Sequence, residues 1–211
     1  MIGAVLFDMD GVLVDAREWH YEALNRALDL FGMAIDRDAH LATYDGLPTR
    51  RKLDMLSKTR GLPFGLHGFI HDLKQAYTLE ISYARCKPRF AQQMALNRLK
   101  REGFRLAVCS NSIRGTVETL MRLARLDGYL DVQLSNEDVK RSKPDPEMYL
   151  TAMSRLCMAP SQCLIVEDNE NGIRAARDSG AHVLEVASPD EVSYERIAAR
   201  IASIEEELCK S

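Results

Sequence analysis

A chain of 211 residues is long for one average domain and short for two full ones, so it suits a single core carrying a modest insertion. With 46% hydrophobic and 28% charged residues it reads as an ordinary soluble globular protein, which excludes disordered and fibrous classes. The 28 basic and 31 acidic residues leave a net charge of -3, so nucleic acid and anionic membranes are not expected partners.

The five cysteines, Cys86, Cys109, Cys157, Cys163 and Cys209, are scattered and form no Cys-x-x-Cys pair. That pattern argues against a disulfide framework and a structural zinc site. No apolar run approaches the roughly 18 residues that span a bilayer, and the N-terminal apolar segment meets Asp8 too soon for a signal peptide. A reduced, cytoplasmic setting is expected.

In chain order, the first apolar run is Ala4 to Phe7, which ends in Asp8 and is followed by Asp10, Gly11 and Asp15. From Glu18 to Phe31 the residues Trp19, Ala23, Ala27 and Leu30 recur at helical spacing. Asp15, with Glu18 three residues on, fits an N-cap in a capping-box-like arrangement. Further helical patterns lie near Arg51 to Lys58 and Phe69 to Tyr83, punctuated by Asp45-Gly46-Leu47-Pro48 and Gly61-Leu62-Pro63. Lys87-Pro88 marks a return to the core.

The next apolar runs are Arg105 to Cys109, Leu130 to Leu134, Cys163 to Val166 and His182 to Val186, each followed by a helix-like stretch. Such alternation predicts an α/β fold, a doubly wound, Rossmann-like parallel sheet of strand order 5-4-1-2-3. The gap of roughly ninety residues between the first and second runs far exceeds one crossover. An all-helical cap is therefore predicted over 16–88, inserted into a core of 1–15 and 89–211.

In open parallel sheets, ligands bind beyond the carboxyl ends of the strands at the switch point. The strand ends here carry Asp8 and Asp10, then Ser110 and Asn111, then Glu167 and Asp168, with Lys143 in the loop RSKPDPEMY. Each residue alone is ordinary turn chemistry, but four groups at successive strand exits are harder to dismiss. Asp8 and Asp10, about 6.5 Å apart if extended, repel one another unless a cation shared with Asp168 neutralises them. All candidate ligands are oxygens, which suits Mg²⁺. Lys143 and Ser110, with backbone N–H groups at a helix start after Ser110, point to an anion. Pro144 biases Lys143 to extended backbone, and Asp145 and Pro146 read as N-cap and first helical residue. Ser135-Asn136 repeats the Ser-Asn pair, but at a strand that does not flank the first.

The segments FDMDGVLVD, CSNS, SKPDPEMY and VEDNENG resemble the four motifs of the haloacid dehalogenase superfamily. The insert directly after the first motif is similar to that of the beta-phosphoglucomutase-like phosphatases. The resemblance implies an aspartyl-phosphate on Asp8, with Asp10 as general acid and then base. It implies that Ser110 and Lys143 hold the phosphoryl group, with Asn111 a neighbouring donor. Mg²⁺ would sit on the Asp8 carboxylate, the Asp10 backbone carbonyl and Asp168, with Glu167 as outer ligand or ligand positioner. The presence of Asp10 argues against dehalogenation, because expelling halide needs no acid.

By the same resemblance the insert is a lid that selects substrate. His20 matches a histidine used by beta-phosphoglucomutases, whereas Ala16 replaces their hydroxyl residue. Arg50 and Lys74 are further candidates for a substrate's polar end. The expected activity is Mg²⁺-dependent hydrolysis of a small phosphorylated metabolite such as a sugar phosphate. A sugar phosphate mutase and a non-catalytic phosphosugar-binding module are the alternatives, and Asp8 and Asp10 weigh against the latter. A monomer is compatible with the sequence.

Overall fold

The structure is a computed structural model that describes residues 1–209. Five strands, β1 (Ala4–Phe7), β2 (Arg105–Cys109), β3 (Val132–Leu134), β4 (Cys163–Glu167) and β5 (His182–Glu185), form one sheet. The strands are parallel throughout and their order is β3-β2-β1-β4-β5, as the alternation of strand and helix predicts. All four residues of β1 and all five of β4 are buried. Burial on both sides explains why these strands, up to the terminal Glu167 of β4, are apolar without alternation.

The described chain divides into two compact units, one of residues 1–15 and 87–209 and the other of residues 16–86. In the first unit, helices α4 (Phe90–Arg101), α5 (Arg114–Leu123), α6 (Glu147–Leu156), α7 (Glu170–Asp178) and α8 (Tyr194–Cys209) accompany the sheet. Leu6, Ala107, Cys109 and Ile165 of the strands pack with Met148, Tyr149, Ala152, Ala175 and Ala176 of α6 and α7. The second unit holds α1 (Arg17–Asp29), α2 (Thr49–Arg60) and α3 (His67–Arg85), with a turn of π-helix at His40–Tyr44. Its core joins Leu24, Ala27, Leu28, Ile35, Tyr44, Leu53, Leu56, Leu62 and Ile70.

Several local expectations are corrected. Asp15 caps nothing: Ala16 is the N-cap of α1 without a side-chain bond, and Glu18 pairs instead with Arg37. The buried stripe of α1 is Ala23, Leu24, Ala27 and Leu28, whereas Leu30 is exposed. Trp19, one turn before Ala23, lies in phase with Ala23 and Ala27 and is half-buried. Pro146 rather than Asp145 is the N-cap of α6, although Asp145 Oδ1 still accepts from the Glu147 N–H at 3.0 Å. The third strand starts at Val132, since Asp127–Tyr129 forms a 3₁₀ turn before it. Among the described residues no helix is long and apolar enough to cross a membrane.

Candidate active site

Strand register assembles the site. Phe7 pairs with Val108 on one side and Val166 on the other. The next residues, Asp8, Cys109 and Glu167, therefore stand at one level across the central three strands. Lys143 comes from the loop before α6 and reaches all three. Its Nζ donates to Asp8 Oδ1 at 2.6 Å, to the Cys109 carbonyl at 2.8 Å and to Glu167 Oε1 at 2.6 Å. Three donors for three acceptors satisfy the ammonium completely, which is how a lysine only 3% exposed remains charged.

Electrostatics follows from this packing. Burial pushes the Asp8 carboxyl well above the usual carboxylate range, against the pull of Lys143, and Glu167, Asp168 and Asp10 add repulsion in the same direction. Burial works against the Lys143 ammonium, but the Asp8 and Glu167 carboxylates outweigh it and raise its pKa. Burial likewise raises the Cys109 thiol to about 12, so that cysteine is inert.

After Asp8 the chain doubles back. Met9 O accepts from Leu13 N and Val14 N, and Gly11 N donates to Val14 O at 2.7 Å. Gly11 adopts φ 92, a left-handed conformation that favours glycine. Asp10 is thereby held on a tight loop, and its Oδ2 accepts from Ser112 Oγ at 3.3 Å. Ser110 is 1% exposed, and its Oγ accepts from Ser112 N at 3.0 Å. The following helix begins at Arg114.

Asn111 has its side-chain amide turned to the main chain of Lys143. Nδ2 donates to Lys143 O at 3.2 Å, while Oδ1 accepts from Lys143 N at 3.1 Å. The reciprocal pair fixes the lysine's backbone from the end of β2. Ser135 serves as the cap of a short 3₁₀ turn, in a capping box with Asp138.

The carboxylates of Asp8, Glu167 and Asp168 each offer an oxygen within 4.8 Å of the other two. Three hard oxygen donors in so small a space fit Mg²⁺ better than zinc or copper. Asp10's carboxylate stands outside this set. Glu167 is 1% exposed; its Oε1 accepts from Lys143 and from the Tyr149 hydroxyl, and its Oε2 from Asp168 N at 3.1 Å.

In the inserted unit, His20 on α1 meets Lys74 on α3, with Nδ1 and Nζ 3.2 Å apart. A lysine ammonium can only donate, so Nδ1 is the acceptor in this contact. Lys74 is buried, whereas Arg50 is exposed on the first turn of α2. Two residues that contribute polar contacts were not singled out from sequence, Ser112 and Tyr149. Ser112 closes the CSNS segment and could have been suspected there. Tyr149 carries no such signal, because a large apolar ring near a helix start reads as core.

The family model of haloacid dehalogenase-like hydrolases matches residues 5–186. The chain belongs to this hydrolase family. A phosphorylated carbohydrates phosphatase of Thermotoga maritima is 33% identical over 182 residues, covering 84% of this chain and 81% of the relative. A beta-phosphoglucomutase of Bacillus subtilis is 27% identical over 185 residues, covering 84% and 80%. The crystal structure of a beta-phosphoglucomutase from Clostridium difficile superposes with a TM-score of 0.85 at 20% identity, covering 99% of this chain and 100% of that one. At that identity the superposition shows the fold, which this haloacid dehalogenase-like hydrolase shares.

Proposed function

We propose that this hydrolase is a phosphatase of a small phosphorylated carbohydrate and that it works through an aspartyl-phosphate on Asp8. The observation that carries the reading is the Lys143 ammonium lodged between Asp8 and Glu167 at the carboxyl edge of the sheet. A fixed cation beside a nucleophilic carboxylate suits a reaction in which a charged phosphoryl group arrives and leaves. The Thermotoga maritima relative, named a phosphorylated carbohydrates phosphatase, supports the substrate class.

In the proposed sequence, a carboxylate oxygen of Asp8 attacks phosphorus and the ester P–O bond breaks. Asp10 gives its proton to the departing sugar oxygen. Water then attacks the phospho-aspartate while Asp10 takes the water's proton, and the bond to Asp8 breaks to release phosphate. Ser110 and Lys143 hold the phosphoryl oxygens, and Asn111 holds Lys143 in place. Asp8, Asp168, Glu167 and the Asp10 backbone carbonyl are proposed to hold Mg²⁺, which when bound supplies charge neutralisation among the acids and phosphate. His20, Lys74 and Arg50 are proposed to meet the sugar.

The test is phosphate release from a panel of sugar phosphates with Mg²⁺. Turnover of at least one member, lost in Asp8→Asn, is the expected result; no release from any would overturn the reading. The contact between His20 and Lys74, together with the similarity to a beta-phosphoglucomutase, favours a mutase as second reading. Conversion of a sugar 1-phosphate to the 6-phosphate, dependent on a bisphosphate primer, would establish it instead.

A further inference from the structure

Tyr149 is among the largest fully buried side chains and lies on the first turn of α6, in the core cluster under the sheet. A tyrosine in such a place needs a partner for its hydroxyl. It finds one in Glu167 Oε1, the oxygen that also accepts from Lys143 Nζ. The ring faces the same ammonium, with Nζ 4.6 Å from its centroid.

We propose that Tyr149 is a positioning residue of the phosphoryl-transfer site, acting through Glu167 to set the metal-binding carboxylates and Lys143. Glu167 is a buried anion close to two other carboxylates, and repulsion drives it away from them unless donors restrain it. Lys143 cannot supply that restraint alone, because its remaining donors are committed to Asp8 and the Cys109 carbonyl. The Tyr149 hydroxyl is a neutral donor, so it fixes Oε1 without adding positive charge that would compete for Asp8. With Oε1 fixed, Oε2 stays at the Asp168 N–H and keeps the start of the loop after β4 in register. Gly172 leaves the carboxylate its room: a Cβ there would lie 1.9 Å from Oε1. The carboxylate is thus packed against a glycine on α7 and bonded by a hydroxyl on α6, two helices that share one core cluster.

This inference rests on the phosphatase reading for its effect on turnover, but not for its effect on metal affinity. Tyr149→Phe keeps the ring under the ammonium and the core volume, and removes only the hydroxyl. Partners that orient metal-binding carboxylates are typically worth about 10–100-fold in metal affinity or activity. The experiment measures Mg²⁺ dissociation constants by calorimetry on the purified protein, and kcat and KM on whichever phosphate ester the panel yields. Four proteins are compared: wild type, Tyr149→Phe, Glu167→Gln and the double variant.

The expected result is Mg²⁺ binding weakened by about 10-fold or more in Tyr149→Phe, with kcat reduced and KM little changed. In the Glu167→Gln background the same substitution should change Mg²⁺ affinity by less than about twofold, since residues acting through one another are not additive. A Tyr149→Phe protein that binds Mg²⁺ within about twofold of wild type would overturn the proposal. So would a full loss that persists in the Glu167→Gln background. Calorimetry needs no substrate, so a failed phosphatase assay and an idle Tyr149 are separate results.

Discussion

Gly172 lies in the second half of the VEDNENG segment, where a helix-favouring residue would ordinarily stabilise the chain. Replacing a helical glycine by alanine is worth about 1 kcal/mol in favour of the helix. Here the added Cβ would fall 1.9 to 2.3 Å from three atoms of the Glu167 carboxyl group, which must then give up its bonds to Lys143, Tyr149 and Asp168 N. Overpacking costs about 1–3 kcal/mol, so the sign reverses. Gly172→Ala is expected to lose about 1 kcal/mol or more of stability in urea unfolding and to reduce kcat at least tenfold. A more stable, fully active variant would refute this account of the glycine. Among the acids of the first segment, the cap expected at Asp15 is not formed. Capping depends on where the first helical turn begins, and Ala16 rather than Asp15 occupies that place.

At the scale of elements, two connections are held by side chains rather than by the sheet. The 3₁₀ turn Asn136–Asp138 is closed by Asp138, whose side chain is 5% exposed. Burial pushes its carboxyl up, but the Ser135 N–H and hydroxyl and the Arg155 and Arg114 guanidiniums outweigh that and bring it down to about 2. A depressed folded-state pKa means the stabilisation is complete above the ordinary value of 3.8 and is lost as pH falls through about 2. Asp138→Asn should therefore cost about 2 kcal/mol at neutral pH, and the gap to wild type should close as unfolding is followed from pH 4 down to pH 2. A gap that stays constant with pH would refute the assignment.

The second connection joins α2 to α3. Ser57 Oγ, His67 Nε2 and Nδ1, and Asp54 Oδ1 line up at 2.7 and 3.5 Å like a hydrolase triad. However, the serine hydroxyl donates to Leu62 O at 2.6 Å, so the imidazole donates to the serine and is not its base. This is a clasp over the Gly61 turn. Ser57→Ala should lower stability by about 1–2 kcal/mol and leave phosphatase turnover within about twofold of wild type; an equal loss of turnover would show that the clasp does more.

For the whole molecule, the consequence of the topology is that Asp8 and Asp168 meet although most of the chain lies between them. Only the folded state brings three carboxylates within 4.8 Å, so a cation binding there should bind the native state and not the unfolded chain. Mg²⁺ at 100 times its dissociation constant should then add about 2.7 kcal/mol of stability. Thermal unfolding followed with Mg²⁺ and with EDTA should show an upward shift that the chelator reverses and that Asp168→Asn abolishes. An equal shift in that variant would place the cation elsewhere.

The apolar runs and the polar residues that end them are legible in the sequence, because buried parallel strands must be continuously apolar and their carboxyl ends collect the exceptions, whereas the strand order followed from the doubly wound class those runs implied. Short four-residue runs such as Ala4 to Phe7 and Cys163 to Val166 are legible for that reason. Tertiary structure alone decided what each of those residues touches. Asn111 turns to the Lys143 backbone instead of outward, Glu167 is divided between Lys143, Tyr149 and Asp168, and Tyr149 joins the site from within the core. Periodicity records which face a residue lies on, whereas a hydrogen bond needs a donor and an acceptor brought within about 3 Å from different elements. That distance is set by register and helix packing, to which single-chain spacing is blind.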